Sequence, residues 1–208
     1  MEPLDSQIRF LLEADRLKTV LRQSTLADRS RRENSAEHSW HLALMALVLA
    51  GHAPPGTDLG QVMAMVVLHD LVEIDAGDLS VYAPAADQAR QQHAERAAAD
   101  RLFAILPAAQ AAALRALWDE FEERATPEAK FARALDRLQP MLLNMVTGGG
   151  TWRAPGVTAD RALARVALIE DGSPSLGAYA RDMVEAAVAS GILAPEPART
   201  TGNDDGTP

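Results

Sequence analysis

The chain contains no cysteine, which excludes disulfide bonds, thiolate metal ligands and cysteine nucleophiles. Aromatic residues are also scarce, at 4% of the 208 residues, although hydrophobic residues make up 48%. Alanine and leucine must therefore supply most of the packing, and a chain rich in both favours helices. We predict an all-α fold, a single helical bundle over residues 1–195, followed by a polar, disordered tail over 196–208.

Long apolar runs are missing as well, and we expect no secretory leader. No run approaches the roughly 20 residues that span a bilayer, and no basic segment followed by an apolar stretch opens the sequence. We therefore expect a cytoplasmic protein without a membrane partner. The 20 Lys and Arg residues are outnumbered by 29 Asp and Glu, a net charge of −9. Because nonspecific nucleic-acid binding depends on a basic surface, we expect no polymeric nucleic-acid partner.

The few cations are concentrated before residue 38. Within fifteen positions lie Lys18, Arg22, Arg29, Arg31 and Arg32. An acidic protein with a local concentration of cations is suited to receiving a small anion. A solvated basic face is the alternative, and it stays open for the last three of these arginines.

Apolar periodicity and turn signals predict helices that are interrupted by Pro- and Gly-rich links. We place these helices near 5–22, 36–51, 60–75, 87–106, 108–124, 127–147, 158–170 and 174–190. The Ala- and Leu-rich helices between 87 and 147, and the two terminal helices, carry apolar positions that one small domain would not fully bury.

Two histidines and two aspartates stand out on three of these helices. His38 lies in RRENSAEHSWH, His69 and Asp70 in VVLHDLVEIDAGD, and Asp136 in AKFARALDRLQP. Such a mixed nitrogen and oxygen set suits a divalent metal such as Mn²⁺, Fe²⁺, Co²⁺ or Zn²⁺ and leaves positions for water and substrate. An isolated His-Asp dipeptide is common by chance, but the ordered set of four is specific.

Other polar residues near these motifs are interpreted differently. His41 forms an HxxH pair with His38, yet we expect it to pack or cap rather than bind metal. His52, in a Pro-rich loop, and His93, on a polar helix face, are expected to be solvated. Asp75 is interpreted as a surface carboxylate.

Over residues 8–147 the sequence resembles the HD-domain metal-dependent phosphohydrolases, specifically the branch that contains the 5'-deoxynucleotidases. The matching stretches are LKTVLR (17–22), ENSAEH (33–38), LHDLVEIDAGD (68–78) and WDEFEERATPEAKFARALDRLQP (118–140). The resemblance implies an all-helical fold, phosphomonoester hydrolysis, a homodimer, and one divalent metal per subunit, held by His38, His69, Asp70 and Asp136. The metal, which could be Co, Mn, Fe, Zn or Mg, stays unassigned.

The same resemblance implies roles for residues around the metal. Arg22 would hold the phosphate, because its guanidinium matches phosphate oxygens, and Glu73 would donate a proton or orient the attacking water. The loop formed by Asp78, Leu79 and Ser80 would contact the substrate. We therefore expect removal of the 5'-phosphate from (deoxy)nucleoside monophosphates or close analogues.

Two departures affect nucleoside recognition more than metal chemistry. Gln23 follows Arg22 where the best-understood bacterial members have an aromatic residue, and the loop LSVYAPA (79–85) lacks the proline-threonine run of those members. The alternatives left open are a phosphodiesterase or triphosphohydrolase acting on cyclic or polyphosphorylated nucleotides, an HD-type oxygenase with two metals, and a noncatalytic nucleotide-binding module.

Overall fold

A computed structural model describes residues 2–197, so most of the predicted disordered tail, residues 198–208, lies outside the described residues. Helices make up nearly all of the regular structure, which confirms the all-α prediction. They are α1 (Pro3–Ala14), α2 (Ser35–Val48), α3 (Leu59–Leu68), α4 (Glu73–Ala76), α5 (Ala85–Phe103), α6 (Ala108–Glu123), α7 (Pro127–Val146), α8 (Ala159–Gly172) and α9 (Pro174–Ala189). No helix in this part of the chain is long and apolar enough to cross a bilayer.

The first predicted helix was wrong beyond residue 14. After Ala14 the chain makes a 3₁₀ turn (Asp15–Thr19) and enters a short antiparallel hairpin, β1 (Leu21–Thr25) with β2 (Arg32–Asn34). The β-branched Thr19 and Val20 disfavour continuation of the helix, and pairing with β2 satisfies the extended backbone. Arg22 therefore projects from a strand rather than from a helix.

Helix α2 begins at a capping box, which fixes the position of its first turn. The Asn34 side chain accepts a hydrogen bond from the Glu37 amide at 3.0 Å, and the Glu37 carboxylate accepts one from the Asn34 amide at 3.3 Å. Such reciprocal caps stabilise a helix N-terminus by about 1 kcal/mol. His38 follows directly and is fully buried.

The predicted helix over 60–75 is broken in the middle. Helix α3 ends at Leu68, a 3₁₀ turn covers His69–Val72, and the single-turn α4 follows. Gly77 ends α4 with a φ of 74°, a conformation that glycine adopts without a Cβ clash. The tighter turn packs Leu71 and Val72 into the core, while His69, Asp70 and Glu73 line a cavity.

Two apolar clusters form the core. The larger one joins α2, α3, α7, α8 and α9, and the smaller one joins α1, α5, α6 and residues 68–72. Glycine permits a close contact between α7 and α8, because a Cβ on Gly172 of α8 would lie 2.2 Å from the Lys130 carbonyl oxygen of α7. The helices that carry His38 and Asp136 are thus held by the larger cluster, and the segment that carries His69 is held by the smaller one.

Candidate metal centre

Three of the four predicted ligands converge in the buried interior. One potential ligand atom from each of His38, His69 and Asp136 lies within 4.8 Å of the other two. Asp136 Oδ1 is 3.2 Å from His38 Nε2 and 3.8 Å from His69 Nε2. The fourth residue, Asp70, borders this group, with Oδ1 3.0 Å from His69 Nε2 and Oδ2 3.9 Å from His38 Nε2.

The hydrogen bonds of both imidazoles direct an Nε2 lone pair toward the carboxylates. His69 Nδ1 lies 2.9 Å from the Val66 carbonyl oxygen, which can only accept, so Nδ1 carries the proton. His69 Nε2 is buried and makes no hydrogen bond to any described residue. In a buried space, imidazole nitrogens and carboxylate oxygens that face one another need a positive charge between them, which a proton on Nε2 or a metal ion supplies. The donor set therefore fits a divalent metal.

Gln139 and Glu33 contact His38 on the side away from the candidate metal position, and neither role was predicted from the sequence. Gln139 donates a hydrogen bond to Glu33 Oε1 at 2.7 Å, and its own side-chain oxygen lies 3.1 Å from His38 Nδ1. His38 Nδ1 therefore donates, which leaves its Nε2 free for a metal. A buried partner of this kind orients a ligand and is typical of metal sites.

Charge at the centre is unevenly distributed. Burial alone would lower the pKa of His69, but the carboxylates of Asp70 and Asp136 raise it to about 10. Burial and Arg22 lower the pKa of His38 to about 4. Although burial opposes ionisation of Asp70, His69 and Arg22 hold its pKa below the usual range. The site thus stabilises a positive charge near Asp70, which a divalent ion would provide.

Arg22 lies among four carboxylates at the edge of this centre. Its Nη1 is 2.7 Å from Asp70 Oδ2 and 3.7 Å from both Glu73 Oε1 and Asp78 Oδ1, and its Nε is 3.7 Å from Glu33 Oε2. The carboxylates outweigh burial and raise the pKa of Arg22, so it stays charged. Because Arg22 pairs with Oδ2 of Asp70, Oδ1 of Asp70 remains on the side that faces His69.

Glu73 is buried beside Arg22 and retains a proton readily. Burial and the neighbouring Asp70 raise its pKa well above the usual value. Ser35, at the start of α2, donates a hydrogen bond to Glu73 Oε2 at 2.5 Å. This serine lies inside ENSAEH, so its motif was visible in the sequence, but its contact across 38 residues was not.

Next to the centre lies a cavity of about 240 Å³, continuous with the predicted substrate loop. Its walls include Arg22, His69, Asp70, Glu73, Asp136 and the loop residues Asp78, Leu79 and Ser80. Asp78 accepts a hydrogen bond from the Gln23 amide at 3.1 Å, and burial raises its pKa. A smaller cavity of about 60 Å³ on the other side of the loop has apolar walls that include Leu79, Val81, Tyr82, Pro140 and Met141.

Four arginines that the sequence analysis did not single out also line the larger cavity. They are Arg124, Arg133, Arg137 and Arg165. Burial and repulsion by the other three lower the pKa of Arg137 to about 10. Asp136 links this group to the centre, because its Oδ2 lies 3.2 Å from Arg133 Nη1 and 3.7 Å from Arg137 Nε.

The residues that we separated from the metal site lie outside it. His41 is half-buried with Nδ1 3.3 Å from the Gln139 amide, and His93 is exposed. His52, expected to be solvated, is exposed and has Nδ1 2.9 Å from Ser175 Oγ. Asp75 forms an ion pair with Arg101, away from the cavity.

The basic residues before His38 do not act as one group. Arg22 alone lines the cavity, whereas Arg31 pairs with Glu37 at 2.6 Å and Lys18 pairs with Asp15. Arg29 donates to the Val146 carbonyl at 3.1 Å. Arg32 is also exposed and donates to the Arg22 carbonyl oxygen. For Arg29, Arg31 and Arg32, the alternative of a solvated basic face is therefore a better description than a shared anion site.

Comparison with known proteins agrees with this arrangement. The chain is 27% identical over 140 residues to the 5'-deoxynucleotidase HDDC2 of Xenopus laevis, covering 66% of this chain and 67% of that protein. It is 25% identical over 142 residues to the 5'-deoxynucleotidase HDDC2 of Danio rerio, covering 67% and 68%.

A solved structure is more similar. The crystal structure of a predicted metal-dependent phosphohydrolase from Magnetospirillum magnetotacticum MS-1 superposes with a TM-score of 0.89 at 51% identity, covering 93% of this chain and 96% of that one. A family model described as HD domain matches residues 14–176, which include all of the clustered histidines and aspartates. The chain belongs to the HD domain family.

Proposed function

We propose that this protein is a metal-dependent phosphohydrolase that removes the 5'-phosphate from (deoxy)nucleoside monophosphates or close analogues. The observation that carries the proposal is the convergence of His38, His69 and Asp136 beside a cavity that also contains Arg22 and Glu73. The names of its relatives, 5'-deoxynucleotidase and metal-dependent phosphohydrolase, point to the same chemistry.

His38, His69, Asp70 and Asp136 would hold one divalent ion per subunit. When bound, such an ion lowers the pKa of water and offsets charge on a phosphoryl oxygen. Cobalt and manganese are the first ions to test, because the set of two imidazoles and two carboxylates accepts both. The chain's own contribution is to direct both Nε2 atoms inward through Gln139 and the Val66 carbonyl.

Arg22 would contact the phosphate, and Glu73 would donate a proton or orient the attacking water. Arg22 is held charged by its carboxylate neighbours, and its Nε makes no hydrogen bond to the described chain. Because Arg22 also lines the cavity, its guanidinium can pair with a phosphate that binds there. A carboxyl group whose pKa is raised can donate a proton to a leaving sugar oxygen, or it can orient the attacking water.

The loop after Gly77 would bind the nucleoside. Asp78 can accept a hydrogen bond from a sugar hydroxyl, and Leu79 and Ser80 border both cavities. The apolar walls beyond the loop suit a base edge or a sugar face. Because Gln23 and the 79–85 loop depart from the bacterial pattern, close analogues belong within the proposed substrate class.

The decisive experiment is phosphate release from a panel of nucleoside mono-, di-, tri- and cyclic phosphates, with Mn²⁺, Co²⁺, Mg²⁺ or Zn²⁺ added separately. Turnover of 5'-monophosphates by the wild type, and none by the Asp136→Ala variant, is the expected result. Turnover of no phosphate ester with any metal would refute the proposal. Metal content measured on the same samples separates a hydrolase with one ion from an oxygenase with two.

A homodimer is the proposed assembly, in the cytoplasm. We expected incompletely buried apolar positions on the helices between 87 and 147 and on the two terminal helices. Val146 is exposed within 87–147, but most of the exposed large apolar side chains of the described residues lie on α1 and α2; they are Leu4, Ile8, Leu11, Leu12, Trp40, Leu44, Leu47 and Val48. Exposed apolar surface of this extent favours association. Sedimentation should give about twice the 22.3 kDa chain mass at micromolar concentration, and the Trp40→Glu variant should sediment as a monomer. A wild type that sediments as a monomer would refute the dimer.

A further inference from the structure

The four arginines that line the larger cavity form a cluster that the proposed phosphatase reaction does not use. The carboxylate of Asp136 lies between this arginine cluster and the candidate metal centre. Its Oδ1 approaches the two histidines, and its Oδ2 approaches Arg133 and Arg137. An anion bound by this arginine cluster would therefore lie directly beside a phosphate held at the centre.

The arginine cluster has more positive charge than its carboxylate neighbours neutralise. The Nε atoms of Arg124, Arg133, Arg137 and Arg165 are all buried and have no hydrogen-bond partner among residues 2–197. Glu122 approaches only to 4.0 Å from Arg133, and Asp136 is shared with the metal centre. Arg165 donates to a neutral group, the Val81 carbonyl, at 2.9 Å.

Glu95, which also lines this cavity, does not neutralise the remaining positive charge of the arginine cluster. It lies among polar side chains, and burial raises its pKa to about 7, so it is only partly ionised near neutral pH. Buried N–H groups without acceptors are costly unless a ligand supplies the acceptors. The arginine cluster therefore has donors and charge available for an anion.

The backbone at Arg124 supports the same conclusion. Arg124 follows the last residue of α6 with a φ of 56° and a ψ of 31°, the left-handed conformation in which glycine is usual. An arginine here costs about 1 kcal/mol of backbone strain relative to glycine. Its Nε is buried and has no hydrogen-bond partner within the described chain, so no hydrogen bond at that atom offsets the cost.

We propose that the arginine cluster binds a second phosphoryl group of the substrate, so that the preferred substrate is a nucleotide carrying two phosphate groups. Guanidinium groups pair with phosphate oxygens through two hydrogen bonds, and four of them converge here. The assignment of a hydrolysed substrate rests on the proposed function. Binding of the anion does not, because it requires neither metal nor turnover.

The binding test uses inorganic pyrophosphate and orthophosphate as probes, by isothermal titration calorimetry with a chelator present. Wild type, Arg124→Gln and Arg165→Gln are compared with the control Arg181→Gln, whose side chain pairs with Glu170 on the exposed surface. We expect pyrophosphate to bind at least about tenfold more tightly than orthophosphate, and each cluster variant to lose about tenfold while the control loses nothing. Equal pyrophosphate affinity in all four proteins would overturn the proposal.

The kinetic test compares deoxyadenosine 5'-monophosphate with its 5'-diphosphate and with deoxyadenosine 3',5'-bisphosphate, on metal-loaded enzyme. The cluster variants should lose kcat/KM on at least one substrate with two phosphates about tenfold more than on the monophosphate. Equal losses on all three would overturn the proposal and place the transferred phosphate on the arginines. If no substrate turns over but pyrophosphate binding depends on Arg124, the proposed function fails and the anion site stands. Since the buried Nε of Arg124 has no hydrogen-bond partner in the described chain, Arg124→Gln should fold with an unchanged or higher Tm.

Discussion

Nδ1 of His38 lies 3.1 Å from the side-chain oxygen of Gln139, and this contact determines which imidazole nitrogen faces the candidate metal position. Gln139 is itself fixed by donating to Glu33, so the three residues form a chain that ends at the proposed ligand. All three are almost completely buried, which means that water cannot replace a lost member easily.

Replacing Gln139 by methionine should weaken metal binding without unfolding the protein. Methionine keeps the length of the side chain, but its sulfur accepts the hydrogen bond from His38 Nδ1 only weakly, so the wrong tautomer of the ring becomes available. Loss of such an orienting partner typically costs about 10- to 100-fold in metal affinity. Competition with a chromophoric chelator measures the affinity, and Gln110→Met, at an exposed glutamine on α6, is the control. Unchanged metal affinity in a folded Gln139→Met protein would contradict the orienting role.

Removing a proposed metal ligand should have a larger effect than removing the orienting residue Gln139. His38→Ala, His69→Ala, Asp70→Ala and Asp136→Ala should each abolish activity and sharply reduce bound metal, because each leaves an incomplete coordination shell. Metal is measured by mass spectrometry after gel filtration.

The remaining histidines serve as matched controls for these ligand variants. His41→Ala, His52→Ala and His93→Ala should keep their metal, since these side chains lie outside the cluster. A ligand variant with full metal content and turnover would remove that residue from the site.

The sequence predicted helices best where local chemistry marks their ends. Asn34 with Glu37, and Thr126 with Pro127, begin α2 and α7 within a residue or two of the predicted positions. The hairpin at 21–34 was not predicted, because strand pairing between Leu21 and Asn34 depends on a contact that no local propensity encodes.

The same distinction applies within the site. Gln139 and Arg133 each lie three residues from Asp136 on α7, so helical spacing could have placed both near it. Arg124 and Arg165 come from elsewhere in the chain and reach the cavity only through tertiary packing. A residue's charge is visible in the sequence, but whether it finds a partner is decided by the fold.

The stability of the metal-free protein should depend on pH through the ionisation of Glu95. Burial raises the pKa of Glu95 from 4.5 in the unfolded chain to about 7 in the fold. Both states are protonated below about pH 4.5, so no penalty exists there. Between about pH 4.5 and 7 the unfolded state ionises first, and the folded state loses stability as the pH rises.

Glu95→Gln should remove that loss. Because the side chain is partly solvated, we expect the variant to be about 1–2 kcal/mol more stable than wild type at pH 8 and equal to it at pH 4.5. Urea denaturation at the two pH values, with a chelator present, measures the difference. The amide oxygen can still accept from Gln91, which donates to Glu95 at 3.1 Å in the wild type. The same stability difference at both pH values would contradict the titration.

Phosphate recognition should be separable from metal binding at Arg22. A guanidinium cannot ligate a cation, so Arg22→Ala should keep the metal, yet it should lose most of kcat/KM on an accepted monophosphate. A buried, charged contact of this kind contributes about 2–4 kcal/mol, or roughly 30- to 1,000-fold. Arg22→Lys should recover only part of the loss, because an ammonium restores the charge but not the paired hydrogen bonds. Removing Arg22 also removes a positive charge that lies 2.7 Å from the proposed ligand Asp70. Metal content must therefore be measured on each sample together with the kinetics. Wild-type kinetics in a metal-loaded Arg22→Ala protein would show that the phosphate is held elsewhere in the cavity.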